Sequence, residues 1–151
     1  MDWVRVLSSK KLQLIGQIVR RKGFVTEKQI REALEYQSKV DNRLLLGEIL
    51  VLKGFIDEET LLGAISSQAG LPCLSPFNYE IDERLFLLIP RDIAERYMIF
   101  PLDKYSDILW LVVNDPYNKE MFLQVKDLTG CKIMPLLATK SEIKRAIEEF
   151  Y

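Results

Sequence analysis

Apolar positions in the first half of the chain recur with a period of 31 residues. Residues 16–37 read GQIVRRKGFVTEKQIREALEYQ and residues 47–68 read GEILVLKGFIDEETLLGAISSQ. Eight of the 22 positions are identical: Gly16/Gly47, Ile18/Ile49, Lys22/Lys53, Gly23/Gly54, Phe24/Phe55, Glu27/Glu58, Ala33/Ala64 and Gln37/Gln68. Val25/Ile56, Ile30/Leu61 and Leu34/Ile65 exchange one aliphatic for another. An ungapped repeat of this length marks one supersecondary unit used twice.

Each copy predicts two helices joined by a tight turn. Gly23 and Gly54 suit the left-handed position that follows a helix end, which glycine adopts without steric cost. Thr26 and Asp57 are good N-caps for the second helix. Thr26 and Gln29 form a capping box, and Val25/Ile30 and Ile56/Leu61 fit a hydrophobic staple. Ile30, Ala33 and Leu34, then Leu61, Ala64 and Ile65, follow helical spacing and are predicted to face a core. On that reading, truncating Leu34 or Ile65 costs about 2–5 kcal/mol.

The pattern changes after Gly70-Leu71-Pro72. Pro72, Ser75, Pro76 and Asn78 predict an irregular crossover over residues 71–82. Pro90 fits the first position of a helix. Met98–Asp103 and Ile108–Asn114 are apolar runs that predict a hairpin with a longer loop at Lys104–Asp107. Asn118 caps a helix carrying Met121, Phe122, Val125 and Leu128 on one face and stopped by Gly130. Residues 131–137 predict another strand. Thr139 to Glu142 opens a last helix with Ile143, Ile147 and Phe150 on one side. The expected fold class is α+β: an all-helical lobe of two repeated hairpins over 1–70, then a small α+β sandwich lobe over 71–151.

Composition narrows the chemistry. Of 151 residues, 48% are hydrophobic and 28% charged, the balance of a chain that buries a core. Histidine is absent, which excludes Ser-His-Asp catalysis, His-ligated zinc and imidazole switching. Cys73 and Cys131 fit no CxxC spacing and read as free, buried thiols of a reducing compartment. No apolar run reaches the roughly 18 residues of a membrane span. The start of the sequence lacks a signal-peptide pattern, so the chain reads as cytoplasmic. Gly130-Cys131-Lys132 resembles the tail of a phosphate-binding loop, but position 125 is Val, and the loop's leading glycine is missing. Asp57, Glu58 and Glu59 suit a helix N-terminus rather than acid–base chemistry. The expectation is a non-enzymatic module with no catalytic residue, no metal and no obligatory cofactor.

Charge is unevenly placed. Residues 1–40 hold nine Lys/Arg against four Asp/Glu, whereas residues 41–151 hold twelve against eighteen. Arg20, Arg21 and Lys22 fall in a last helical turn, where cations complement the dipole. The other reading joins them with Lys10 and Lys11 in a basic surface for an acidic protein, a phosphate-bearing ligand or a membrane face. Trp3, Val4, Val6 and Leu7 add an apolar patch, so residues 1–11 are expected to be poorly ordered or packed on a neighbour. Interleaved aromatics for base stacking are lacking, which disfavours nucleic acid.

The tandem Gly-x₆-Gly-Phe-[Val/Ile]-[Thr/Asp]-Glu…Gln units, the exit Gln68-Ala69-Gly70-Leu71-Pro72 and the stretch ILWLVVNDPYN (108–118) together resemble one known family. It is the N-terminal domain of type II secretion and type IV pilus assembly ATPases. The resemblance implies docking of a motor to the cytoplasmic part of an inner-membrane platform protein, with the ATPase core in the same or a separate chain. That location is cytoplasmic and peripheral to the inner membrane. In a subset of the family, the resemblance implies cyclic di-GMP binding by the repeat. The matching ligand positions are Gly16, Val19, Ile30, Leu34 and Gln37, then Gly47, Leu50, Leu61, Ile65 and Gln68. Where that subset has arginine two residues before each glycine, this chain has Leu14 and Leu45. Arg43 lies four residues before Gly47, in a link about two residues longer than the family's. A guanidinium is the group best shaped for phosphate and guanine edges. The first expectation is therefore docking, with no micromolar cyclic di-GMP binding; the alternative is a cyclic di-GMP sensor.

Overall fold

A computed structural model describes residues 15–40 and 43–151. Its contacts divide the chain into two compact units, one ending at Gln68 and the other running from Ala69 to Tyr151.

The first unit consists of the two predicted hairpins. Helices α1 (Ile15–Arg21) and α2 (Glu27–Lys39) form one, and α3 (Leu46–Leu52) and α4 (Glu58–Ala69) the other. Gly23 and Gly54 have φ of +78° and +71°. The turn hydrogen bonds are the same in both copies. Phe24 N–H donates to the Val19 carbonyl at 2.9 Å, and Phe55 N–H to that of Leu50 at 3.0 Å. Gly23 N–H donates to the Arg20 carbonyl and Gly54 N–H to that of Val51, both at 2.9 Å. This double pattern is the Schellman termination. Thr26 Oγ1 accepts from Gln29 N–H at 3.2 Å while Gln29 Oε1 accepts from Thr26 N–H at 2.9 Å, completing the capping box. In the second copy, Asp57 Oδ1 accepts from Thr60 N–H at 2.7 Å. One core serves both hairpins: Ile18, Val19, Val25 and Ala33 from the first pack with Ile49, Leu50, Ile56 and Ala64 from the second.

Leu34 departs from expectation. It is 45% exposed, while Ala33 beside it is fully buried. The apolar stripe of a helix is broad enough for several rotations. Here α2 turns the small Ala33 into the close contact, and the longer Leu34 lies at the rim. Ile65, its counterpart, is half-buried.

The second unit is built on a three-stranded sheet of β1 (Ile99–Tyr105), β2 (Ile108–Val113) and β3 (Lys132–Leu137), in that order. β1 and β2 are antiparallel, and β2 and β3 are parallel. The parallel pair needs a crossover, which is α7 (Lys119–Thr129). Asn118 caps α7 by accepting from Met121 N–H at 3.0 Å, and Gly130 ends it with φ of +66°. The hairpin is tighter than the sequence predicted: Tyr105 pairs with Ile108, leaving only Ser106 and Asp107 in the loop. Ser106 takes a φ of 55°, on the side of φ that two-residue hairpins demand. Pro101 and Pro135 stand on the two outer strands, both in register with Leu111. Proline has no N–H to offer a further strand, so each edge is blunted.

Short helices α5 (Leu85–Leu88) and α6 (Arg91–Tyr97) precede the sheet, and α8 (Lys140–Phe150) follows it. Pro90 is the cap of α6 rather than its first residue. Thr139 caps α8, accepting from Glu142 N–H at 3.2 Å. Phe86, Phe100, Phe150 and Tyr151 form an aromatic cluster, and Phe77 joins it through Phe150 at 5.7 Å. The Tyr151 hydroxyl donates to the Ile89 carbonyl at 2.8 Å, and burial pushes its phenol pKa well up. Leu128, expected on the buried face of α7, is exposed in its last turn. Cys73 is also exposed and only Cys131 is buried. The crossover holding Cys73 lies along β3, with Leu74 N–H donating to the Leu137 carbonyl and Leu137 N–H to that of Pro72, both at 2.9 Å.

Candidate functional site

The repeat's glycines are points of close helix approach. A Cβ built on Gly47 would lie 3.1 Å from both terminal methyls of Leu61, and one on Gly16 would lie 2.9 Å from Leu46 Cδ2 and 3.8 Å from Ile30. Contacts under 3.4 Å are tighter than nine in ten real Cβ contacts. In the second copy, then, the first helix meets the aliphatic of the second across a bare backbone, whereas the close contact on Gly16 comes from Leu46 of the other copy. Val19 and Leu50, the next pair, are 0% exposed and belong to the shared core. They present no surface to a ligand in this form of the molecule. Surface remains on the half-buried Ile30, Leu61 and Ile65 and on the rim residue Leu34.

Gln37 and Gln68 end the two units and are both half-buried. Gln37 Nε2 donates to the Leu44 carbonyl at 2.7 Å, tying the end of α2 to the segment that leads into α3. Arg43, in the same segment, is exposed. Leu45 sits at the cap of α3 and is 54% exposed, and Glu48 Oε2 accepts its N–H at 2.9 Å. The residue standing where the cyclic di-GMP-binding subset has arginine is thus an aliphatic group open to solvent.

Arg20, Arg21 and Lys22 are all exposed around the first turn. Arg20 Nη1 approaches Glu27 Oε2 at 3.4 Å, which brings the end of α1 beside the start of α2. An exposed pair of this kind adds little stability. Lys10, Lys11 and the expectation for residues 1–11 lie outside the described residues.

One constellation has no counterpart in the sequence reading. Lys53 Nζ pairs with Glu32 Oε1 at 3.1 Å and lies 5.0 Å from the Tyr36 ring centroid and 6.0 Å from that of Phe55. It couples the second turn to α2 of the first hairpin through the Glu32 carboxylate and the Tyr36 π face, the Phe55 ring belonging to its own turn. Glu32 is 21 residues from Lys53, so local pattern could not signal the pair. Among the described residues, no group of Cys, Asp and Glu is placed to hold a metal ion. No described helix is long and apolar enough to cross a membrane.

Comparison with known proteins adds a family. The MshEN domain profile matches residues 69–151. The chain is 29% identical over 137 residues to the type IV pilus assembly ATPase PilB of Myxococcus xanthus, covering 91% of this chain and 24% of that protein. To PilB of Thermus thermophilus it is 32% identical over 97 residues, covering 60% of this chain and 11% of that protein. It therefore spans about a quarter or less of the length of these relatives. Among solved structures, MshE with cdg (cyclic di-GMP) superposes with a TM-score of 0.79 at 21% identity, over 93% of this chain and 100% of that one. The N-terminal domain of XpsE superposes with a TM-score of 0.74 at 17% identity, over 91% and 94%. These two likenesses are of fold.

Proposed function

The chain belongs to the MshEN domain family, homologous to the N-terminal domains of type II secretion and type IV pilus ATPases, and we propose that it docks such a motor onto the cytoplasmic part of an inner-membrane platform protein. It does so as a non-catalytic module, with the ATPase core in the same or a separate chain, and it is held at the inner membrane through that partner. The observation that carries this reading is the state of the repeat. Its glycines and its Val19/Leu50 pair are consumed by packing. What is left at the surface is a cationic turn and scattered exposed aliphatics, which is the material of a protein interface with a charged rim. The two lobes, 1–70 and 71–151, then divide the work, the helical one meeting the partner and the α+β one carrying the family profile.

The test is surface-immobilised binding of this chain to the cytoplasmic domain of the platform protein. Charge reversal at Arg20, Arg21 and Lys22 slows association and flattens its salt dependence, because rim charges act mainly on the on-rate. An unchanged on-rate and salt slope moves the interface to the α+β lobe; no binding at all ends the docking reading.

A second reading is favoured by one residue. Leu34, at a position the cyclic di-GMP-binding subset uses, is exposed beside the half-buried Ile30, and MshE has been solved with cyclic di-GMP. Calorimetry with cyclic di-GMP decides it. With Leu45 in place of a guanidinium, the charge-assisted contact is missing, and the expected result is no micromolar isotherm. A micromolar isotherm lost in Leu34→Ala and Gln37→Ala makes the chain a second-messenger sensor.

A further inference from the structure

The tandem repeat carries its own control. Two hairpins with the same turns and glycines and a side-chain cap on each second helix show which residues that fold requires, and positions that differ in chemistry between them are not required by it. Over residues 20–31 the first copy holds Arg20, Arg21, Lys22, Lys28 and Arg31 against Glu27 alone. Over the equivalent residues 51–62 the second holds Lys53 against Asp57, Glu58 and Glu59. Arg20, Arg21, Lys28 and Arg31 correspond to Val51, Leu52, Glu59 and Leu62. The fold does not require them for helix-dipole compensation, because α3 ends in the same Schellman turn with no cation in its last turn.

The five cations of the first copy are all exposed. They flank Phe24 in sequence, and Phe24 is 44% exposed, the one exposed large apolar side chain of residues 20–31. Its counterpart Phe55 is half-buried beneath the Lys53 ammonium. We propose that this first turn is a contact surface for an anionic lipid bilayer, with Phe24 entering the headgroup layer.

Around Phe24 the balance of charge and apolar area is that of a rim and not of the centre of a protein interface, which leaves the turn able to meet lipid beside any docking it takes part in. The centre of a protein interface is depleted of charge and anchored by several buried apolar groups. Here one exposed aromatic ring shares residues 20–31 with five exposed cations. A headgroup layer accepts cations in any lateral arrangement, takes an aromatic ring at its boundary, and gains about 1 kcal/mol, or fivefold in partitioning, per Lys or Arg. The charge elsewhere does not compete: residues 41–151 hold twelve Lys/Arg against eighteen Asp/Glu, so the net attraction of an anionic surface falls to the first forty residues. Such a contact is weak alone. Added to docking on a membrane-embedded partner, it acts through effective concentration. It does not depend on the docking reading, since it needs lipid and this chain only.

The experiment is flotation of the full chain with vesicles of phosphatidylcholine, with and without phosphatidylglycerol. Binding to the anionic vesicles alone, weakening as salt is raised, is expected. Replacing Arg20→Val, Arg21→Leu and Lys28→Glu, the residues the second hairpin already tolerates, lowers partitioning by about a hundredfold or more. Phe24→Ser lowers it about tenfold at unchanged charge. If the exchange variant melts early, Arg20→Gln, Arg21→Gln and Lys22→Gln at exposed positions give the same comparison. Equal partitioning into neutral and anionic vesicles at low salt overturns the proposal, as does wild-type partitioning by a folded exchange or glutamine variant. Binding to an acidic platform domain without any vesicle binding also overturns it, and leaves the docking reading standing.

Discussion

The two hairpins of the repeat have the same backbone and different neighbours. Both end their first helix in a Schellman turn, and both open their second helix with a side-chain cap. Yet the close contact on Gly16 comes from Leu46 of the other copy, while that on Gly47 comes from Leu61 of its own. The first hairpin is completed by the second. Neither can bury its apolar face alone, which is the general condition of repeat units. The eight buried residues of the common core come in equal number from each. Sequence identity between the copies therefore reports what the shared core and turns need, and divergence reports what each copy does at its own surface.

The largest test of this comparison sets a core position against a rim position. Leu50 is 0% exposed and Leu34 is 45% exposed. Leu50→Ala is expected to cost about 2–5 kcal/mol, since it removes buried contacts and leaves a cavity. Leu34→Ala is expected to stay within about 1 kcal/mol, as surface substitutions away from caps and turns do. Urea denaturation of the two variants measures both. Equal, large losses would mean that α2 is rotated from its described position and that Leu34 belongs to the core after all.

That rotation is also where the sequence stops being legible. Gly23, Gly54, Thr26, Asp57, Asn118 and Gly130 each occupy their predicted place, because caps and helix stops are decided within a few residues of chain. The helical hairpins and the small sheet follow from the same local signals. Leu34 follows from a choice between neighbouring rotations of α2, and that choice is made by what α2 packs against. Cys73 is exposed because a distant strand, β3, takes up its segment. The loop at Ser106-Asp107 is short because the pairing of β1 and β2 runs on through Lys104 and Tyr105, two polar residues that mask the strand's end. At the candidate site, burial divides the positions that spacing brought forward. Val19 and Leu50 vanish into the core, Gln37 is engaged by a carbonyl of its own chain, and the Lys53–Glu32 pair depends on a contact across the repeat.

A smaller effect tests the identity of the two turns. A Cβ at Gly23 or Gly54 meets no atom within 4 Å, so the cost of alanine is purely that of the left-handed backbone. Gly23→Ala and Gly54→Ala are each expected to lose about 1–2 kcal/mol. More telling is that the two losses should agree, since φ is +78° in one and +71° in the other. Thermal melts of both variants check it. A clear inequality would reveal that one turn is strained or relieved by its surroundings, and the hairpins would no longer serve as controls for one another.

The smallest expected effect lies where the caps differ in chemistry. Thr26 does not titrate near neutral or acid pH, whereas Asp57 does. Hydrogen bonding from Thr60, side chain first and then backbone, holds the Asp57 carboxyl below its usual value, against a small opposing effect of burial. A carboxyl whose folded pKa lies below its unfolded one stabilises the fold above the unfolded value, and that stabilisation is lost as pH falls through the folded value. The window is therefore below about pH 4, the ordinary aspartate range. In that window the second copy should loosen at its cap while the first does not. Amide exchange reads this directly: protection at Thr60 N–H should fall in acid and protection at Gln29 N–H should hold. Asp57→Thr should give both copies the same flat profile. Should Asp57 instead titrate at or above the ordinary aspartate value by carboxyl NMR, its cap would be no stronger ionised than neutral, and the two hairpins would be alike in acid as well.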